Sequence, residues 1–202
     1  MTRAELSGLV ASRICHDLIS PVGAISNGLE LLEMAPGGSS AETGLIRQSA
    51  DAATASLKFM RIAFGAPGFE DLMAKADVAR IFNSYLNQGR RTASWSPAGG
   101  GMTRADAQLF FLAALALADT APTGGTLVVE ALSEDPFSMS LVIHSPRIQN
   151  LPTFTDPTPR DAHHFLWNTL CEDRRAEVSW DVTPAEDIGL REGYARLTVS
   201  AP

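Results

Sequence analysis

The stretch "SRICHDLISPVGAISNGLELL" at residues 12–32 decides how the first part of the chain folds. Apolar residues recur through it, and through the residues before it, at intervals of three or four, which is the spacing of one face of an α-helix. They are Leu6, Val10, Ile14, Leu18, Val22, Ile25, Leu29 and Leu32. The pattern predicts one long helix, which ends at the turn-forming sequence "APGGSS" at residues 35–40.

A second helix is predicted after this turn. Ser39 and Glu42 have the spacing of a capping box, and apolar residues then continue at helical intervals over residues 46–64. The glycine and proline of "GAP" at residues 65–67 end that helix. Residues 1–66 are therefore predicted to form a helical hairpin domain.

The hairpin predicts a homodimer. Two helices that each carry one apolar face cannot cover both faces against one another, whereas two hairpins paired into a four-helix bundle can. The apolar patch that would be covered in the dimer contains Val22, Ile25, Leu29, Leu57, Met60 and Phe64.

The remaining residues, 67–202, predict a second domain in which helices pack on a sheet. "TRADAQLFFLAALALAD" at residues 103–119 is a buried helix capped by Thr103, and an amphipathic helix, "DVARIFNSYLNQG", precedes it. Strands are predicted at "PTGGTLVVEAL", "SMSLVIHS", "AEVSWDVT" and "YARLTVSA", with a helix at "RDAHHFLWNTLCED" between the second and the third. The fold class is α+β, and the three tryptophans are expected in or around the core of this domain.

Composition excludes several classes of function. Sixteen basic residues against 23 acidic ones give a net charge of -7 with no lysine- or arginine-rich run, so a nucleic-acid or anionic-membrane surface is not supported. The N-terminus lacks the apolar segment of a signal peptide, and the longest apolar run is shorter than the ~20 residues that span a bilayer. We expect a cytoplasmic protein. Cys15 and Cys171 form no CxxC pair, so neither a disulfide framework nor a zinc site is expected.

His16 is the candidate nucleophile. At ~100° per residue it lies nearly opposite Ile14 and Leu18, so it is expected to face water. A neutral imidazole has a ring nitrogen lone pair that can attack a phosphorus centre. Asp17 can orient the ring, and Arg13, one turn away, can help to neutralise an attached phosphate.

Pro21 stands inside the predicted first helix, one turn after His16. Proline supplies no amide hydrogen, and its ring presses on the carbonyl of the residue four positions earlier, which is Asp17. We expect a kink there, beside the nucleophile.

The segment "HDLISPV" at residues 16–22 resembles the H-box of sensor histidine kinases, which lies on the first helix of a dimeric hairpin. The resemblance implies that His16 accepts the phosphoryl group, that Asp17 is its acidic neighbour, and that Ser20 and Pro21 are the polar and kinking positions. Ile19 departs from the pattern, since kinases usually carry arginine or lysine there. The wider stretch at residues 12–32 is similar to ChpT-type histidine phosphotransferases of alphaproteobacteria, which carry a phosphoryl group from a hybrid kinase to response regulators.

The second domain resembles the ATP-binding domain of those kinases in the order of its elements, but without its nucleotide motifs. Ala116 occupies the place of the magnesium-binding Asn, "LVIHSPRIQNLP" that of the Asp-x-Gly-x-Gly turn, and "TPRDAHHFLWN" that of the glycine-rich box. Without these carboxylate, carboxamide and glycine groups we expect no ATP binding and no cofactor. The resemblance implies that the receiver domain of the partner supplies magnesium.

Other candidate residues are interpreted as structural. His163 and His164 are neighbours on a predicted helix, where their side chains diverge by ~100°, so they are expected to be packing or surface residues and not ligands. Asp119, Asp135 and Asp156 lie on separate turns and are not expected to form a magnesium set. Cys15 is expected at the hairpin surface.

The resulting hypothesis is a histidine phosphotransferase of a bacterial two-component phosphorelay. It passes a phosphoryl group between receiver-domain aspartates through His16, with the receivers of a hybrid histidine kinase and of response regulators as partners. Two alternatives remain open: an active ATP-dependent histidine kinase core, and a scaffold or anti-regulator that uses a kinase-like fold only for binding. A phosphotransferase should acquire acid-labile label on His16 from a phosphorylated partner, a kinase should acquire it from ATP alone, and a scaffold should acquire it from neither.

Overall fold

The computed structural model describes residues 2–34, 40–66, 72–134, 136–151 and 158–201. Its helices are α1 (Arg3–Met34), α2 (Ser40–Ala63), α3 (Lys75–Leu86), α4 (Arg104–Asp119), α5 (Ala162–Asp173) and α6 (Ala185–Ile188), with a 3-10 turn at Pro159–Asp161 before α5. Its strands are β1 (Leu72–Ala74), β2 (Arg91–Ser94), β3 (Gly101–Thr103), β4 (Gly125–Glu134), β5 (Phe137–Ser145), β6 (Glu177–Thr183) and β7 (Gly193–Ser200).

Helices α1 and α2 form the predicted hairpin. They pack along each other, and Gly28 of α1 is buried against Ile46 of α2. Helix α1 continues on both sides of Pro21. The predicted capping residue Ser39 and the "APGG" turn lie outside the described residues.

The second part of the chain forms a five-stranded sheet in the order β2-β4-β5-β7-β6. Strands β2 and β4 are parallel, and the other neighbours are antiparallel. The mixed α+β class and the four predicted strands are confirmed. The Thr103 cap is confirmed as well, because its hydroxyl oxygen accepts a hydrogen bond from the backbone N–H of Asp106 at 3.1 Å. Three short strands were not predicted: β2 at the sheet edge, and β1 and β3, which pair with each other.

Helix α4 lies at the centre of the apolar core. Every residue from Asp106 to Ala118 is buried, because α4 contacts α2, α5 and strands of the sheet. Trp95 and Trp167 are buried as expected, and Trp180 packs edge-on against Trp167.

The core continues across the predicted boundary at residue 66. The ring of Phe59 on α2 stacks between Tyr85 of α3 and Phe111 of α4, with centroid distances of 4.0 Å and 4.4 Å. Ile62 and Ala63 belong to the same buried cluster as α4 and the sheet. The C-terminal end of the hairpin is therefore part of the core of the second domain.

This packing corrects one prediction about the hairpin surface. Met60, which was expected in the exposed apolar patch, is only 2% exposed. Periodicity along α2 does not show that this end of the helix is covered by other elements of the same chain. Val22, Leu29 and Leu57 are each about half exposed, whereas Ile25 and Phe64 are partly covered.

Within the described residues, no helix is both long enough and apolar enough to cross a membrane.

The close contact at Gly28 yields a stability prediction. A Cβ atom at this position would lie 2.5 Å from Cγ1 of Ile46, a β-branched side chain with little freedom to move, so we expect Gly28→Ala to lower the free energy of unfolding by about 1–3 kcal/mol. Gly23 on the same helix has no atom within 4 Å of its Cβ position, and Gly23→Ala should instead stabilise the helix by up to about 1 kcal/mol. Urea unfolding measures both. Equal changes in the free energy of unfolding of the two variants would contradict the close contact between Gly28 and Ile46.

Candidate active site

His16 lies on α1 with 55% of its side chain exposed, as the sequence predicts. Its Nδ1 is 3.0 Å from Oδ1 of Asp17. A carboxylate can only accept a hydrogen bond, so the ring proton is on Nδ1 and the neutral imidazole has its lone pair on Nε2. An accessible ring nitrogen with a free lone pair is suited to nucleophilic attack.

Asp17 is held from its other side by Arg13. The Arg13 Nε donates to Oδ2 of Asp17 at 2.7 Å, and the two side chains are only 15% and 19% exposed. Burial alone would lower the pKa of Arg13, but the charge and the hydrogen bond of Asp17, together with the charges of Tyr85 and Asp119, outweigh it and raise that pKa above its ordinary value. The guanidinium therefore stays charged and holds the carboxylate that contacts His16.

Arg13 also connects α1 to the second domain. Its Nη1 donates to the backbone carbonyl of Arg160 at 2.6 Å, in the 3-10 turn before α5. The sequence suggested that Arg13 helps to neutralise an attached phosphate. In the structure its guanidinium is already engaged by Asp17 and by this carbonyl.

Three clefts open beside His16 and Asp17. A groove of about 1070 Å³ lies between α1, α2 and α3, and Asp17, Ser20 and Pro21 line its α1 side. Two smaller clefts, of about 350 Å³ and 330 Å³, are both lined by Arg13, His16, Asp17 and Arg91. The predicted site residues therefore lie together on one face of α1, next to the second domain.

Arg91 also lines the two clefts that His16 lines, and the sequence did not single it out. It is the first residue of β2, an edge strand of four residues that pairs with β4. No motif surrounds it, and only the packing of the second domain against α1 brings it to the clefts beside His16. Strand β2 was itself not predicted, so nothing in the sequence indicated that Arg91 lies near His16.

The structure keeps His163 and His164 as structural residues but corrects their expected geometry. Their rings do not diverge: the Nε2 atoms lie 3.0 Å and 2.9 Å from the same Oδ2 of Asp119, and the ring centroids are 4.1 Å apart. The two Cβ atoms do point in different directions, but rotation about the side-chain bonds brings both imidazoles to the end of α4. Asp135 and Asp156 lie outside the described residues.

The geometry of this cluster favours hydrogen bonding over metal binding. The three ligand atoms lie within 4.8 Å of one another, which would suit a metal ion. However, a metal on Nε2 of His163 would move the ring proton to Nδ1, which is buried and has no hydrogen-bond partner within the described part of the chain. With the proton on Nε2, each imidazole donates to Asp119 and fastens α5 to α4.

The pKa shifts of His163 and Asp119 agree with a neutral His163 and an ionised Asp119. Burial lowers the pKa of His163 below its ordinary value, although Asp119 partly opposes this effect. Burial disfavours the charge of Asp119, but hydrogen bonds from the two histidines outweigh it and hold the pKa of that carboxyl below its usual range.

Comparisons with known proteins identify the class and then the family. The model of the histidine phosphotransferase C-terminal domain matches residues 75–156. The chain is 32% identical over 201 residues to the protein phosphotransferase ChpT of Brucella abortus, with 93% of this chain and 95% of that protein covered. A solved structure of a bacterial phosphotransferase matches 98% of the chain, and 97% of its own, at a TM-score of 0.79 and 25% identity. The chain belongs to the ChpT family of histidine phosphotransferases, and its role is phosphotransfer in a two-component phosphorelay.

The His163 environment predicts a dependence of stability on pH. Because the folded-state pKa is lowered, the unfolded chain binds the proton more readily, so the free energy of unfolding should fall as the pH decreases below about 6.5. One such group contributes at most about 1.4 kcal/mol per pH unit. Urea unfolding between pH 8 and pH 5 measures the slope. His163→Gln should flatten it and His144→Gln, at an exposed strand position, should not; an unchanged slope in the His163 variant would refute the assignment.

Proposed function

We propose that the chain carries a phosphoryl group between receiver-domain aspartates through His16. The observation that supports this role most directly is an exposed imidazole whose Nδ1 is held by the partly buried Arg13–Asp17 pair, in a chain of a histidine phosphotransferase family. The site offers a nucleophile of fixed orientation with open clefts around it. That is what a phosphoryl carrier requires of its own chain.

The transfer step moves no proton. The Nε2 lone pair of His16 attacks the phosphorus of an aspartyl phosphate, the N–P bond forms, and the bond from phosphorus to the aspartate oxygen breaks with its electron pair on the leaving carboxylate. Nδ1 keeps its proton throughout. Asp17 stabilises the positive charge that develops on the ring, and the reverse step delivers the group to a second receiver.

The Arg13–Asp17 pair sets how strongly the carboxylate acts on His16. An isolated Asp17 would swing between rotamers and would draw the Nδ1 proton more strongly as the ring becomes positive. The Arg13 bond at 2.7 Å holds Oδ2 and leaves Oδ1 for the ring. We therefore assign Asp17 and Arg13 as positioning residues for His16.

The receiver is proposed to dock over the groove between α1, α2 and α3. Its aspartate has to reach within bonding distance of Nε2, so its contacts are limited to the surfaces around His16. Ser20 and Pro21 line this groove from α1, and polar residues such as Gln48 and Lys58 line it from α2. Magnesium for the reaction is proposed to come with the receiver.

We propose that the second domain binds no ATP. Ala116, at the position that the sequence aligns with the magnesium ligand, is fully buried in α4. His164 and Trp167, in the segment that replaces the glycine-rich box, are buried side chains. Buried side chains at the positions that the sequence aligns with nucleotide contacts support the phosphotransferase over the kinase alternative.

Phosphoryl labelling tests this function. After mixing with a phosphorylated receiver, the wild-type protein should acquire acid-labile label, and His16→Gln should acquire none while unfolding at the same urea concentration, because the side chain adds little to the core. His144→Gln, which removes another exposed histidine, is the matched control and should label normally. Label from ATP alone would establish a kinase, and a wild-type protein that never labels would establish a scaffold.

We also propose that the chain is a homodimer in the cytoplasm, paired through the hairpins. Val22 and Leu29 on α1 and Leu57 on α2 are each about half exposed, and Ile19 is exposed further. Apolar side chains of this size in one region of a helical hairpin are typical of a surface covered by a second chain.

The dimer prediction has a matched control on the same helix. Light scattering should report twice the chain mass for the wild type, and the double variant Val22→Glu, Leu29→Glu should be monomeric, because charges would be buried in the interface. Leu31 is as exposed as Leu29 but lies about 180° around α1 from Val22, so Leu31→Glu should remain dimeric. A monomeric wild type at micromolar concentration would contradict the proposal.

A further inference from the structure

We infer that Arg91, contributed by the second domain, binds the phosphoryl group while it is carried on His16. This inference rests on the proposed function of His16. It makes the second domain a part of the phosphotransfer site, in addition to its role in packing the hairpin.

The position of Arg91 supports the assignment. It lines both smaller clefts that His16 lines, one toward Ser20 and Tyr85 and one toward Asp119 and Arg160. Its backbone is fixed at the start of β2, where it pairs with Gly125 of β4 in the parallel register. The side chain is half-buried, so it reaches the clefts from a defined anchor.

The charge of Arg91 is available, unlike those of Arg13 and Arg80, and Arg91 is half-buried whereas Arg160, which lines one of the two clefts, is exposed. Arg13 is held by Asp17 and by the Arg160 carbonyl, and Arg80, which lines the large groove, pairs with Asp77. Across the residues that the structure describes, the Arg91 guanidinium pairs with no carboxylate and donates no hydrogen bond. A partly buried guanidinium without an anion is suited to binding an external one.

A phosphoryl group on His16 is an anion of the right chemistry. Its three oxygens carry negative charge, and the planar fork of a guanidinium matches two of them with parallel hydrogen bonds. When the receiver dissociates, its magnesium leaves with it, so any compensating charge has to come from this chain. No bond within Arg91 changes during transfer, and it keeps its protons.

Arg91 could contact the phosphoryl group on His16 or acidic residues of the receiver, and transfer kinetics distinguish these two partners. If Arg91 binds the phosphoryl group, Arg91→Ala should lower the transfer rate at saturating phospho-receiver by about tenfold or more, with little change in KM. It should also change the hydrolysis rate of phospho-His16 with no receiver present. If Arg91 instead contacts acidic residues of the receiver, only KM should rise and the lifetime of phospho-His16 should not change.

The controls use the neighbouring arginine and a conservative variant. Arg90 is exposed and lines none of the three clefts, so Arg90→Ala should transfer at the wild-type rate. Arg91→Lys should restore part of the transfer rate, because lysine returns the positive charge without the two parallel hydrogen-bond donors of a guanidinium. Partial recovery in this variant would also show that the loss in Arg91→Ala is not a folding defect. The inference would be overturned if Arg91→Ala transferred the phosphoryl group at the wild-type rate with a wild-type phospho-His16 lifetime, or if only its KM changed. In either case the proposed function would stand, because His16 would still become labelled. A wild-type protein that never labels would overturn both.

Discussion

The structure depends on one partly buried ion pair, between Arg13 and Asp17. Charges that are largely removed from water are costly unless they are paired, and these two side chains, 15% and 19% exposed, pair with each other. One oxygen of Asp17 accepts a hydrogen bond from Arg13 and the other contacts the ring of His16, while Arg13 donates a second hydrogen bond to the Arg160 carbonyl. The same pair thus orients the ring of His16 and attaches α1 to the turn before α5. Loss of either charge would leave the other one partly buried and without its partner.

A second constraint is the continuity of the core between the two parts of the chain. Phe59 stacks between Tyr85 and Phe111, so the C-terminal end of α2 is fixed to α3 and α4. Together with the Arg13 contact, this fixes the hairpin at two separated points against the second domain. Clefts between the two parts, including those beside His16, therefore have a defined shape. The Asp119 cluster strengthens this arrangement, because it fastens α5 to the end of α4, next to the turn that Arg13 binds.

Sequence reasoning succeeded where the signal is local. The two helices of the hairpin follow from apolar spacing, the Thr103 cap from two residues three apart, and the exposure of His16 from its angle to Ile14 and Leu18. It failed where the signal is a contact between distant segments. Asp119 lies 44 residues from His163, and Met60 is covered by elements of its own chain. No spacing rule relates such positions, since tertiary packing alone brings them together.

The proposed absence of ATP binding and the proposed role of Arg91 share a physical basis. The positions that the sequence aligns with nucleotide contacts carry Ala116, His164 and Trp167, which are buried in the core of the second domain. A domain packed in this way presents a firm surface to α1. The edge strand β2, anchored by its parallel pairing with β4, holds the backbone of Arg91 at the clefts that His16 lines. A cation held in a fixed place beside His16 is what the proposed carrier role requires of the second domain.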